Sequence, residues 1–425
     1  LVTKGGQERA AWQAGEVGYR PGDAAYRRVV VALFAAGVTT FALLYSPQAV
    51  LPELAADFGM PASATTLSIS VTTLAMAVAL LVVGPVTERV GRTPIIRASV
   101  VVTSLVGIAH SLAPNWPTLL VLRGLQGISL AGMAAVAMAY LREEVAPEAH
   151  ARATGLYVGG TAIGGMLGRL VVGGVADLAG WRWALAAMGG LGLVCAIVVV
   201  LTLPPSRGFQ PIESSRAATQ AMVRRLLTDP ALLALYGVAA VAMGAFIAVL
   251  NAVGFRLREA PYYLSVAAAS LVYLSYAPGS ISSAYAGRVA DRVGRRPVLP
   301  VAFGALLIGL AITAASPLWV FMVGMVVLSV AFFAVHSIAS GWVVARAQVG
   351  GGGIGQASAF YLVAYYTGSS VFGGLAGPAW EGGGWPAVLV LTGSLALVGL
   401  GLAWVLTRIP ALPDQPTEDP GVTAY

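Results

Sequence analysis

Apolar residues run through this chain in blocks about twenty residues long, separated by short stretches where Arg, Gly, Pro and the acids collect. A helix rises about 1.5 Å per residue, so each block can cross a hydrocarbon layer roughly 30 Å thick. The pattern predicts twelve spans. The first six fall at 29–51, 65–86, 95–113, 117–141, 151–177 and 182–203. The second six fall at 231–255, 264–286, 298–315, 318–343, 355–378 and 386–407. A polar stretch with Arg207, Arg216, Arg224 and Arg225 separates the two sets. The expected organisation is a segment 1–28, a six-helix bundle 29–203, a linker 204–230, a second bundle 231–407 and a tail 408–425.

A signature recurs in the two halves. Gly84-Pro85-Val86-Thr87-Glu88-Arg89-Val90-Gly91-Arg92-Thr93-Pro94 follows the second span, and Gly287-Arg288-Val289-Ala290-Asp291-Arg292-Val293-Gly294-Arg295-Arg296-Pro297 follows the eighth. Glycine, carboxylate, arginine and proline keep their order at an offset of 203 residues. Around spans five and eleven an offset of 204 pairs Tyr157 with Tyr361, Gly164 with Gly368 and Trp181 with Trp385. Duplication therefore covers most of each half, and the fold class is an all-α integral membrane protein of two pseudo-symmetric six-helix bundles. In this reading each signature is a short charged hinge between membrane helices. Glu88 and Asp291 would favour the positive end of a neighbouring helix. Arg89, Arg92, Arg292 and Arg295 would hold the loop at an anionic leaflet.

Composition agrees with a membrane protein. Of 425 residues, 58% are hydrophobic and 10% charged, against about 25% charged in soluble domains. The net charge of +7 does not mark a nucleic-acid surface, because the basic residues sit in alternate loops. With residues 1–28 inside the cell, the cytoplasmic segments hold Lys4 and nineteen arginines, and the outer loops only Arg182, Arg256 and Arg258. That bias places both termini in the cytoplasm. The single Cys195 excludes a disulfide framework or thiolate metal site, and no phosphate-binding loop or His-Glu-x-x-His motif occurs. No cofactor or metal is expected, and the chain is not read as an enzyme.

Few polar groups lie within the spans. Arg123, in Arg123-Gly124-Leu125-Gln126-Gly127, and Arg169, in Gly164-Gly165-Met166-Leu167-Gly168-Arg169, are costly there and should face a cavity or a partner. No carboxylate lies at mid-span, so the titratable candidate is His336, whose side chain changes charge near neutral pH. Gln48, Gln126, Tyr157, Asn251 and Tyr365 can add hydrogen bonding to an apolar cavity. Two buried guanidinium groups should repel organic cations and favour neutral or anionic compounds.

These residues resemble the major facilitator superfamily, over about 29–408. Both hinge copies look like its motif A. Arg123-Gly124-Leu125-Gln126-Gly127 looks like motif B of the drug:proton antiporter group, whose arginine is implicated in proton coupling. Leu44-Tyr45-Ser46-Pro47-Gln48, Phe332-Phe333-Ala334-Val335-His336-Ser337 and Tyr365-Tyr366-Thr367-Gly368-Ser369-Ser370 are similar to YnfM-type inner-membrane transporters. The chain departs from such antiporters in two places. The fifth-span glycine run lacks its proline, and no acid occurs between Val29 and Leu51.

The resemblance implies a monomeric secondary transporter of the bacterial plasma membrane, exporting small organic molecules against protons by alternating access. Two other readings stay open: uptake or exchange of a small organic anion, and a sensor that keeps the scaffold without transporting.

Overall fold

The computed structural model describes residues 18–208 and 216–410. Among them nine segments are apolar and long enough to cross a membrane. One of these, Pro147–Thr202, holds two crossings, because its helix breaks at Gly180 with φ 82° and ψ 166°. Two further crossings, 266–293 and Ile354–Gly374, are less apolar, being rich in Ser, Gly and Tyr. Together they make the twelve helices of two six-helix bundles.

We number the crossings α1 (Ala24–Tyr45), α2 (Ala62–Val90), α3 (Arg92–Ala109), α4 (Trp116–Glu144), α5 (150–179) and α6 (181–202). The second set is α7 (Pro230–Arg258), α8 (Tyr276–Val293), α9 (Arg295–Ile312), α10 (Leu318–Val349), α11 (Ile354–Gly374, continued by 376–382) and α12 (385–408), the last two parted by a break at Gly383 and Gly384. A short helix, Arg216–Leu226, occupies part of the stretch between the bundles. The N-terminal segment docks beside α4, where the Tyr19 amide donates to the Glu144 carbonyl at 2.9 Å. Lys4 and Arg9 lie outside the described residues.

The hinges are narrower than the sequence suggested. Helix α2 runs through Gly84 and Arg89 to Val90, and the chain turns at Gly91 alone, with φ 89° and ψ 169°. The second copy does the same at Gly294, with φ 90° and ψ 151°. A positive φ of that size excludes most L side chains, so glycine at these two positions is a backbone requirement. The charged residues of each signature therefore sit on helix ends, Arg89 and Arg292 closing one helix and Arg92 and Arg295 opening the next.

Glycine also sets the packing within each bundle. A Cβ at Gly160, Gly164 or Gly168 of α5 would lie 2.6, 2.4 or 2.7 Å from the backbone of Phe34, Val38 or Ala42 on α1. In the second bundle a Cβ at Gly368 of α11 would lie 2.0 Å from the Ala240 carbonyl oxygen on α7. Absent side chains let these helix pairs meet backbone to backbone, the usual packing without a hydrophobic driving force between helices.

Between the bundles, contact is one-sided. Among the described residues, the hydrogen bonds and ion pairs that cross from one bundle to the other lie at mid-depth or on the side away from the hinges. The Asp177 carboxylate accepts from the Val266 amide at 3.0 Å, and Arg258 pairs with Glu53 at 2.9 Å. Glu381 accepts from the Ser63 amide at 2.8 Å, and Ser370 Oγ donates to the Ser70 carbonyl at 2.8 Å.

Candidate functional site

Helix α1 ends early because of Pro47. Having no N–H, it cannot bond the Leu43 carbonyl four residues back, and the chain continues as a 3-10 turn over Ser46–Val50. Carbonyls are thereby orphaned deep in the protein. Arg123 of α4 satisfies them. Its Nη1 donates to the Leu43 oxygen at 3.2 Å, its Nη2 to the Leu44 oxygen at 2.7 Å and its Nε to the Ser68 oxygen of α2 at 2.9 Å. Nη1 also donates to Gln126 Oε1. A fixed positive charge at a helix C-terminus is favourable. Arg123 is 0% exposed, and its bonds stay within the first bundle.

The break aims Gln48 across the interface. Gln48 Nε2 donates to Asn251 Oδ1 of α7 at 2.6 Å, and Asn251 Nδ2 donates to the Gly373 carbonyl of α11 at 2.9 Å. Gln48 Oε1 accepts from Arg169 Nε at 2.6 Å. Gln48 and Asn251 are 203 residues apart, the spacing of the hinges, so equivalent positions of the two repeats bond each other between the bundles. Arg169 and Gly373 are equivalent at the offset of 204. The first repeat thus carries a guanidinium where the second carries bare backbone.

Arg169 lies at this junction with neutral company. Besides Gln48 it donates to the Gly165 carbonyl and, at 3.2 Å, to the Tyr276 hydroxyl. Its Cζ lies 4.8, 5.1 and 4.9 Å from the ring centroids of Tyr45, Tyr273 and Tyr276, within cation–π range. It makes no ion pair among the described residues. The sequence expectation that a buried arginine needs a cavity or partner is met by amide, carbonyl and aromatic faces.

Next to it lies a small crevice of about 40 Å³, walled by Phe41, Tyr45 and Gly165 from the first bundle and by Phe246, Tyr276 and Phe332 from the second, among others. Phe246 stacks on Phe332 at 4.0 Å between centroids. His336 sits behind this wall. Its ring lies 4.9 Å from that of Tyr365, which lines the crevice, and its Nδ1 is 3.0 Å from the Tyr361 hydroxyl.

Residues 30–279 match the description of the Major Facilitator Superfamily. The chain is 39% identical to the inner membrane transport protein YnfM of Escherichia coli (strain K12), over 89% of this chain and 90% of that one. It is 36% identical to the MFS-type transporter YybF of Bacillus subtilis (strain 168), over 94% and 98% respectively. This chain belongs to the major facilitator superfamily. Its fold is shared with a bacterial homologue of the human lysosomal transporter Spinster (TM-score 0.72, 16% identity, 91% of this chain and 98% of that one). It is shared equally with the nucleoside transporter NupG (TM-score 0.70, 13% identity, 89% and 99%).

Within this superfamily member, the sequence candidates fall into three groups. Gln48, Arg169 and Asn251 form one network, and Tyr365 walls the adjoining crevice with His336 behind it. Arg123 and Gln126 lie apart, inside the first bundle. Tyr157 is buried in the apolar core around α1 and α5, with no hydrogen bond among the described residues. The Glu88 side chain lies outside the described residues. Arg92 pairs with Glu143 at 2.8 Å and donates to Thr87 Oγ1 at 2.8 Å. In the second hinge, Asp291, Gly294 and Arg295 instead line a surface pocket of about 550 Å³.

Tyr45, Tyr273 and Tyr276 were missed by sequence reasoning, as was Glu143. The broken backbone before α8, Val266–Ser270 then a 3-10 turn over Leu271–Ser275, presents Tyr273 much as the break in α1 presents Gln48. The tyrosine-rich run Tyr273-Leu274-Ser275-Tyr276 in a weakly apolar span was the available signal.

Proposed function

We infer that this transporter exports small organic molecules in exchange for protons, across a bacterial plasma membrane and as a monomer. The hinges and both termini face the cytoplasm, following the arginine distribution, and 29–203 and 231–407 move as the two rocking bundles. The crevice between bundles is the observation that carries this reading. It is walled from both sides by aromatic and glycine surface, so separation of the bundles would open it without breaking either core. Apolar walls with few polar groups suit drug-sized organic compounds.

Coupling is assigned to His336. No carboxylate enters the crevice wall, and His336 touches it through Tyr365, so its protonation can respond when the wall opens to water. The test is purified protein in liposomes, screened with organic compounds under an imposed pH gradient. Accumulation that follows the gradient, and that His336→Gln uncouples from pH while the protein stays folded, is the expected result. Equal accumulation with and without the gradient would remove proton coupling. Gradient-driven transport unchanged in His336→Gln would return His336 to a structural role.

A further inference from the structure

We propose that Arg169 and the hydroxyls around it form the docking site for the anionic head of an amphipathic organic acid whose apolar body lies in the adjoining crevice. The site is one of donors without an anion. Arg169 uses three N–H groups, on Gln48, Gly165 and Tyr276, out of the five a guanidinium offers. Tyr45 and Tyr273, each 2% exposed, have their ring centroids within 5.1 Å of its Cζ, and the Tyr273 hydroxyl has no hydrogen-bond partner among the described residues. Ser369 Oγ of α11, 0% exposed, lies beside the Tyr45 hydroxyl, and the two polar groups have no other side-chain partner among the described residues. A buried polar group without a partner is costly, so the two unused N–H groups of Arg169 and the unpartnered Tyr273 hydroxyl beside it mark a place built to be filled.

No carboxylate on this side of the molecule pairs with Arg169 among the described residues, although Glu53 lies within electrostatic reach of the Tyr273 hydroxyl. Glu53 is paired with Arg258, and Asp177 accepts from the Val266 amide. Arg123 is no rival for the role, since its bonds hold backbone of its own bundle. Three residues join the cation to the crevice. Tyr45, Gly165 and Tyr276 all line the crevice, and all contact Arg169. A Cβ at Gly165 would sit 3.5 Å from Arg169 Nη1, so no side chain stands between crevice and guanidinium. Once separation of the bundles widens the crevice beyond its present volume of about 40 Å³, a ligand with an apolar body against Phe41, Phe246 and Phe332 would place a head group at Arg169. A carboxylate there would take paired, charge-assisted N–H donors.

This site rests on the crevice being the substrate path. It is tested on the detergent-solubilised full chain by calorimetric titration of 3-phenylpropanoate and octanoate against their uncharged amides. The carboxylates should bind at least tenfold more tightly than the amides. Arg169→Gln should erase that difference and Arg169→Lys should restore part of it. Tyr45→Phe and Tyr273→Phe, which keep the rings, should weaken carboxylates severalfold and leave the amides unchanged. Absence of carboxylate binding, equal binding of acid and amide, or full preference retained by Arg169→Gln each overturns the proposal. Gradient-driven export confined to neutral compounds would sink this site and leave proton-coupled export standing. Arg169-dependent carboxylate binding with no gradient-driven movement of any compound would do the reverse.

Discussion

Arg169 in the first bundle and Gly373 in the second stand at equivalent places in the duplicated chain, yet one brings a buried charge to the interface and the other brings a carbonyl. Equivalence is kept elsewhere. Gly91 and Gly294 share one backbone conformation, Gly164 and Gly368 both admit a neighbouring helix, and Gln48 and Asn251 meet each other. The two halves agree where backbone geometry leaves no choice of residue. They differ where chemistry sits: both deep arginines belong to the first half, whereas His336, Tyr361 and Tyr365 belong to the second. A site lying between such halves has aromatic surface on both sides and a guanidinium, Arg169, beside it from the first half alone, an asymmetry the duplication alone would not supply.

The comparison breaks most visibly at Arg123. Because it satisfies orphaned carbonyls at the end of α1, Arg123→Met should cost about 3 kcal/mol or more, seen as a large drop in the denaturation midpoint of the detergent-solubilised protein. A midpoint unchanged by Arg123→Met would mean that the break in α1 stabilises itself. A smaller contrast separates the hinges. Arg92 is 5% exposed and bonded to Glu143 and Thr87, so Arg92→Ala should cost roughly 1–3 kcal/mol. Arg295 has no such partner among the described residues. The position equivalent to Glu143 is Arg346, which pairs instead with Asp229 at 3.0 Å. Arg295→Ala should stay within about 0.5 kcal/mol. Equal losses at the two sites would show the hinges to be energetically alike.

Much of the fold was legible because a membrane span announces itself by length and apolarity, and because repetition supplied the weaker spans. The spans at 264–286 and 355–378 have observed helices at 266–293 and 354–374, although serine, glycine and tyrosine dilute their hydropathy. The site was legible only in part. Gln48, Arg169 and Asn251 stood out as polar residues in apolar runs, but the offset that makes Gln48 and Asn251 meet was applied to the hinges and not to them. Tyr45, Tyr273 and Tyr276 look like ordinary interior aromatics until two broken helices turn them toward one guanidinium. The hinge glycines were recognised, but a helix running on to Val90 reflects tertiary packing that the turn-forming residues do not reveal.

Alternating access requires the side away from the hinges to separate, and the close approach of α2 to α11 there offers a direct test. A Cβ at Gly374 would lie 3.5 Å from that of Ser70, within the range that a disulfide spans. Ser70→Cys with Gly374→Cys, in a background with Cys195→Ala, should therefore form an intramolecular disulfide on mild oxidation. The readout is gradient-driven transport in liposomes of a compound found by the substrate screen. The account predicts that oxidation abolishes transport and that reduction restores it. Full transport by protein shown to be cross-linked would contradict it, because the bundles would then be moving substrate without parting at this end.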